Sequence, residues 1–222
     1  MLMRQSAFVA DGGHNVFNSR TWRFLNRRSI AKIGDAMDEN YNWFVIYTKS
    51  NSEQRVMRDL SELYRKLGLD YFFEPFCPES EYYYKTSKAK RLGKVYKKRP
   101  MFPSYVFIET DMPEKEFVET FSALIYRSPQ IYRLLRYGSS GKFALNKIER
   151  MRFDYLFKGR RCLMHSVGIM EGDHIIITSG PLMGLEGNIE HINKREQIAR
   201  VKIELYGRVL EAKLALEVVK KQ

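Results

Sequence analysis

Regular hydrophobic patterning starts at Trp43 and shifts once, after Phe157, from alternating strands and helices to strands alone. Trp43-Phe44-Val45-Ile46-Tyr47 is a short unbroken apolar run of the kind a buried strand shows. Behind it Val56, Leu60, Leu63 and Leu67 recur at i, i+4, i+7 and i+11, which predicts a helix with one buried stripe. Ser50 and Glu53, three apart, suggest a capping box at its start, and Gly68 a C-cap at its end. A strand over Tyr71 to Phe76, a long basic excursion from Tyr82 to Arg99 and a strand from Ser104 to Glu109 come next. Asp111 and Glu114 suggest a second capping box with Pro113 in the first turn, and Phe117, Phe121 and Leu124 give that helix its stripe. A strand over Ile131 to Arg136, a Gly138–Gly141 turn and a helix capped by Asn146 and Glu149 complete the series.

The order β-α-β-β-α-β-α is the split βαβ pattern of ferredoxin-like domains, in which two helices cover one face of a four-stranded antiparallel sheet. That leaves the second face free to bind. At Phe157-Lys-Gly-Arg-Arg161 the composition shifts, and β signals follow at Asp173 to Thr178, Glu186 to Ile192, Gln197 to Leu205 and Arg208 to Leu216. These strands predict an SH3-like barrel of about 55 residues. The chain therefore reads as α+β: an arm over 1–40, a ferredoxin-like domain over 41–156, a linker over 157–168 and a barrel over 169–222. Within the barrel, Gly172, Gly180, Pro181, Gly184 and Gly187 predict a tight β-arch, because such glycines permit sharp bends and unusual backbone angles.

Charge changes this picture by adding a partner. Lys and Arg number 38 against 26 Asp and Glu, a net charge of +12, which favours a polyanion. Much of the excess lies in the excursion, where Lys85, Lys88, Lys90, Arg91, Lys94, Lys97, Lys98 and Arg99 occur with no acid among them. Tyr96 is interleaved and Tyr82-Tyr83-Tyr84 precedes them. Cations that meet phosphates release counterions, and tyrosines stack on unpaired bases, so the excursion suits RNA or displaced DNA. A solvated surface loop is the bland alternative.

The 222 residues suffice for a buried core, and no apolar run approaches the ~20 residues that span a bilayer. The two cysteines, Cys77 and Cys162, fit a reducing compartment, so a cytoplasmic monomer without cofactor is expected. Residues 1–40 show no sustained period. They read as a disordered arm, as a transit-type peptide given their scattered arginines, or as residues preceding a translation start at Met37. An enzyme is not indicated: His14, His165, His174 and His191 have no metal-ligand spacing, no Walker-type loop occurs, and Glu79 and Glu81 carry no sign of acid–base pairing.

The glycine spacing of Glu171 to Ile189 resembles the KOW motif. The upstream domain resembles the NGN domain of NusG-type transcription factors through Trp43-Phe-Val-Ile-Tyr47-Thr-Lys-Ser and Arg99-Pro-Met-Phe102-Pro103-Ser104-Tyr105-Val-Phe107. The resemblance covers roughly Tyr41 to Val219 and implies a factor that rides on RNA polymerase. Its NGN domain would dock on the β′ clamp helices through Tyr47, Phe102 and Tyr105, while Arg127 and Ser128 would face the β subunit across the cleft. It also implies a barrel surface at Leu182, Leu185 and Tyr206 for ribosomal protein S10 or the termination factor Rho, although leucines stand where relatives carry aromatics.

Three departures set this chain apart. Ser104 replaces the glycine usual in general elongation factors, Tyr47 to Asn51 is closer to operon-specific members such as RfaH and LoaP, and the basic excursion is pronounced. They favour a specialised processive antiterminator, recruited by nascent RNA or non-template DNA, over a housekeeping factor that couples to S10 or Rho. A KOW-bearing RNA-binding or ribosomal module is the third reading, and such modules lack the preceding Phe102-Pro103 strand.

Overall fold

The computed structural model describes residues 41–84, 95–138, 140–172 and 174–219. The tips of the excursion at Lys85, Lys88, Lys90, Arg91 and Lys94 lie outside them. The apolar run at Trp43 forms β1 (Asn42–Thr48), followed by α1 (Glu53–Leu67) and β2 (Phe73–Phe76). β3 (Glu79–Tyr83) and β4 (Tyr96–Pro100) pair as an antiparallel ribbon at the base of the excursion. β5 (Tyr105–Thr110), α2 (Glu114–Arg127), β6 (Ile131–Leu134) and α3 (Lys147–Phe157) follow.

β1, β2, β5 and β6 form one antiparallel sheet in the order β2-β5-β1-β6, the arrangement of a ferredoxin-like domain. Strand alternation divides its residues between two cores. Phe44, Ile46, Val106 and Ile108 pack against Val56 and Leu60 of α1 and Phe117, Phe121 and Ile125 of α2. Trp43, Val45 and Phe107 point the other way, toward Phe153, Leu156 and Phe157 of α3.

Helix ends differ from expectation where tertiary partners compete. Gly68 does close α1 in the left-handed region (φ 62°), and Asn146 caps α3 by accepting from the Glu149 backbone N–H at 2.8 Å. The two earlier capping boxes do not form. Ser52 and Pro113 are the N-cap residues, neither with a side-chain cap bond. The carboxylates meant for those caps are drawn to amides elsewhere: Glu53 to Ser104, Asp111 to Phe72 and Glu114 to Phe143.

β7 (Cys162–Leu163), β8 (Ser166–Glu171), β9 (His174–Ser179), β10 (Ile189–Asn193), β11 (Ile198–Leu205) and β12 (Arg208–Val219) complete the chain. The barrel strands run in the order β10-β11-β12-β8-β9, with β12 antiparallel to β11 and parallel to β8. Gly180 carries the arch: at φ 99° an added Cβ would lie 2.5 Å from the Ser166 Cα, so no side chain fits. Gly187 has no such constraint, since its Cβ would meet open space. Residues 157–168, expected as a linker, carry β7, which extends the ribbon into a sheet of order β4-β3-β7.

The free second face anticipated for the ferredoxin-like sheet is not free. A single buried cluster runs from Trp43, Val45, Phe102 and Phe107 through α3 into Leu182, Leu205, Tyr206, Leu214 and Leu216 of the barrel. The apolar side chains of the sheet and α3 and those of the barrel bury more surface against one another than either could against water.

Candidate functional site

At the open end of the sheet, β1 and β5 pair Tyr47 directly with Tyr105, and their rings lie 5.3 Å apart. Tyr132 of β6 adds a third ring 5.2 Å from Tyr47, and the Arg133 guanidinium sits 5.9 Å from the Tyr47 ring. Burial raises the Tyr105 phenol above its ordinary value and Tyr47 adds to this, while Arg133 and Arg208 oppose it. Tyr132 is 59% exposed and escaped the sequence reading. Its place beside Tyr47 follows from the pairing of β6 with β1, which no local pattern announces.

Phe102 belongs to a different environment. It is 3% exposed, between Phe107 at 6.2 Å and Phe153 at 6.0 Å, in the core that the barrel seals. Arg127 and Ser128 end α2. The Ser128 hydroxyl donates to Gln130 Oε1 at 3.1 Å, and Lys49 N–H donates to the Gln130 carbonyl at 2.8 Å. The Lys49 bond draws the Arg127–Ser128 corner to the end of β1 that carries Tyr47.

Between Phe102 and Tyr105, Ser104 holds a left-handed backbone at φ 71°. Glycine adopts that region freely, and for other residues it is strained. Here the strain is offset by three bonds: Ser104 N–H donates to Glu53 Oε1 at 2.7 Å, its carbonyl accepts from Thr48 N–H at 2.8 Å, and its hydroxyl pairs with that of Ser50 at 2.8 Å. The non-glycine residue at this turn and the serine in the β1–α1 loop are thus one feature.

In the ribbon, Tyr82 stands opposite Lys97, and Ser80 opposite Arg99. Tyr82, Tyr84, Lys97 and Arg99 therefore share one face. The Lys97 ammonium lies 3.5 Å from the Tyr84 ring centre and the Arg99 guanidinium 5.1 Å from that of Tyr82. Lys98 lies on the opposite face with Tyr96 and Glu81.

Two of the three residues expected on the barrel's partner surface are not at a surface. Leu182 has no exposed area, and its N–H donates to the Ser166 hydroxyl. Leu185 is half-buried. Tyr206 is 7% exposed and lies in the contact with the ferredoxin-like domain. It and Gly207 form a two-residue turn between β11 and β12 with positive φ at both positions, as a type I′ hairpin requires. The Glu149 carboxylate, 2% exposed, accepts from Tyr206 N–H at 2.7 Å, Gly207 N–H at 2.9 Å and the Tyr137 hydroxyl at 3.0 Å. The Tyr206 hydroxyl donates to the Phe143 carbonyl, and its ring lies 4.8 Å from that of Tyr137. Burial, then Tyr137, raise the Tyr206 phenol well above its usual value.

The geometry can be set beside known proteins. Residues 41–153 match the family model described as transcription termination factor nusG, and residues 171–204 match the KOW motif. The chain belongs to the NusG family. Among NusG relatives, the transcription termination/antitermination protein of Rickettsia felis is 23% identical, over 89% of this chain and 99% of that protein. That of Deinococcus radiodurans is 24% identical, over 81% of this chain and 98% of its own length. A solved structure described as domain interaction in Thermotoga maritima NusG has 20% identity and a TM-score of 0.45, and covers 80% of this chain and 93% of that one.

In this NusG-family chain the described residues include no group of three or more His, Cys, Asp or Glu placed to hold a metal ion. His165 instead faces Glu81, at 3.3 Å from Nδ1. Among the described residues no helix is long and apolar enough to cross a membrane.

Proposed function

We propose that this chain is a specialised processive antiterminator that travels on RNA polymerase. The observation that carries the reading is the pairing of an aromatic cluster in which Tyr132 is exposed and Tyr47 and Tyr105 half-buried with a ribbon rich in cations within one NusG-family chain. Aromatic side chains with arginine at the margin supply much of the energy of protein interfaces. The cluster would grip the β′ clamp helices, and Arg127 and Ser128, at the same end of the sheet, would reach the β subunit. Bridging the cleft holds the clamp closed and opposes the opening that accompanies pausing and hairpin termination. The excursion from Lys85 to Arg99 would recruit the factor by binding nascent RNA or non-template DNA. Ser104 with its Ser50 and Glu53 partners supports the specialised branch, because the turn is built around a residue other than glycine.

A housekeeping role has one observation in its favour, the termination/antitermination description of the relatives. That role would involve S10 or Rho at Leu185 and its surroundings, and access to Leu182 or Tyr206 would require the barrel to rearrange or leave. Multi-round transcription by purified polymerase past an intrinsic terminator separates the readings. Read-through that rises only on a particular leader supports the specialised factor. Effects that ignore the template support the housekeeping one, and no effect together with no binding to core polymerase overturns both.

A further inference from the structure

α3 is apolar on two faces. Phe153, Leu156 and Phe157 on its inner face lie in the core shared with the sheet and the barrel. On its outer face Ile148, Met151 and Tyr155 recur at i, i+3 and i+7, and they are 64%, 47% and 52% exposed. A surface helix ordinarily turns polar and charged residues to water, as α1 does with Gln54, Arg55, Arg58 and Glu62. The apolar stripe of α3 continues onto the barrel, where Met183 is 47% exposed and its carbonyl accepts from the Tyr155 hydroxyl at 3.4 Å. Methionine is unbranched and polarizable and adapts its shape to what it meets, so the pair Met151 and Met183 suits a protein-binding surface. None of these residues belongs to the Tyr47 cluster or to the ribbon.

Charge at the margins indicates the occupant. Lys147 stands at one end of the stripe, and Lys158 and Arg160 at the other, with the Lys158 ammonium 5.5 Å from the Tyr155 ring centre. Nearby acids are engaged with the chain's own cations, Asp154 with Arg150 at 3.6 Å and Glu204 with Arg152, while Glu149 points inward. Two copies of the chain joined stripe to stripe would set cation against cation in either direction, which disfavours a dimer. Ile148, Met151 and Met183 offer no ring on which a base could stack, which disfavours a nucleic acid. We propose that Ile148, Met151, Tyr155 and Met183 form a docking stripe for an amphipathic helix of a partner protein. The apolar side chains of that helix recur at i, i+3, i+4 and i+7, and its flanks are acidic. From Ile148 to Tyr155 the stripe runs about 10 Å along the axis, so two to three turns of the partner helix cover it.

The probe is a designed helical peptide of about 18 residues, with leucines at that spacing and glutamates elsewhere, titrated into the full chain labelled at its methionine methyl groups. A scrambled form keeps the composition without the stripe, and a lysine form keeps the stripe with the opposite charge. The glutamate helix should shift the Met151 and Met183 methyl signals and leave those of Met101 and Met112, buried in the two cores, in place. It should bind about tenfold or more tightly than either control peptide. Ile148→Gln/Met151→Gln should weaken it about tenfold with the circular dichroism unchanged, and Lys158→Glu/Arg160→Glu should reverse the preference between glutamate and lysine helices. A scrambled peptide that binds equally well, a wild type that prefers the lysine helix, or an Ile148→Gln/Met151→Gln variant with unchanged affinity overturns the proposal. So does a wild type that binds no peptide, and a dimer in sedimentation equilibrium that dissociates in that variant would name a second copy as the occupant instead. Displacement of the peptide by a single strand of about 12 nucleotides would likewise overturn it in favour of nucleic acid.

Discussion

Removal of one carboxylate should weaken the docking of the barrel without unfolding either part. Glu149 accepts two backbone N–H groups of the Tyr206–Gly207 turn and one hydroxyl; the Tyr206 bond is buried and the other two are partly so. In Glu149→Ala the buried Tyr206 amide loses its acceptor for as long as the barrel is docked, at about 1–3 kcal/mol, and the part-buried Gly207 amide adds about 1 kcal/mol. Once the barrel leaves, water satisfies them, so the cost falls on docking rather than on the fold. Taking ~3 kcal/mol as the sum, the docking equilibrium falls by about a hundredfold. Burial of an aromatic ring such as Tyr206 offers roughly 4–6 kcal/mol, so the lost bonds are comparable with that ring's share of a contact to which Leu182, Leu205, Leu214 and Leu216 also belong. The α3 cap survives, because Asn146 receives the backbone N–H of residue 149 rather than its side chain. Glu149→Gln keeps one acceptor oxygen and should cost about 1–2 kcal/mol, the difference between charged and neutral bonds. Hydrogen exchange at the Tyr206 and Gly207 amides reads the effect directly, with protection falling in the order wild type, Glu149→Gln, Glu149→Ala. Amides in Glu149→Ala that exchange within threefold of wild type would refute the reasoning and leave ring burial alone as the latch.

Further expectations concern separate features. At position 104, thermal stability should run wild type ≈ Ser104→Gly > Ser104→Ala > Ser104→Val, with Val costing ~2 kcal/mol or more because a β-branched residue is worst in the left-handed region. Burial, with Glu53 and Glu79 adding to it, pushes the Cys77 thiol up to about 12, and Cys162 is raised less. Iodoacetamide at pH 8 should therefore alkylate Cys162 slowly and Cys77 only after denaturation, as mass spectrometry would show. The Tyr206 phenol is held above its ordinary value near 10 while docked, so docking stability is intact below that pH. It is lost as pH rises further, because the released tyrosine sheds its proton first, and amide exchange above pH 10 should show the turn opening. For the ribbon, a site engaging ~3 to 5 phosphates gives a slope of log affinity against log salt near −2 to −3.5, which should shrink in the Lys97→Gln/Lys98→Gln/Arg99→Gln variant.

Much of the fold was legible because local patterns coincide with it. The apolar run at Trp43, the stripe through Val56 and Leu60, the glycine at 68 and the β signals after Arg161 each sit where the corresponding element forms. Leu67, counted in the stripe, is largely exposed, since α1 leaves the sheet before its last turn. The caps were the weakest part. Ser50, Glu53, Asp111 and Glu114 have the right types and spacing, yet backbone amides of distant residues claim the last three, and Ser104 claims Ser50. The candidate site was legible by residue type and less so by exposure. Tyr47 and Tyr105 lie half-buried beside the exposed Tyr132, whereas Phe102, Leu182 and Tyr206 look from the sequence no different from surface aromatics and leucines, yet each is buried in the cluster that joins sheet and barrel.

Taken alone, the amino-acid order determined the three helices and most of the strands outside the excursion and the linker, that two domains follow one another, that the charge gathers on one excursion, and which family signature they carry. Those features depend on neighbours along the chain, through side-chain period, turn chemistry and composition. Tertiary structure alone decided that the barrel closes over the sheet, that Glu149 spends its carboxylate on the Tyr206–Gly207 turn, and that Tyr132 joins Tyr47. These are contacts between residues far apart in the chain, fixed by which buried amides and apolar faces would otherwise be left without a partner, a competition that no local window can register.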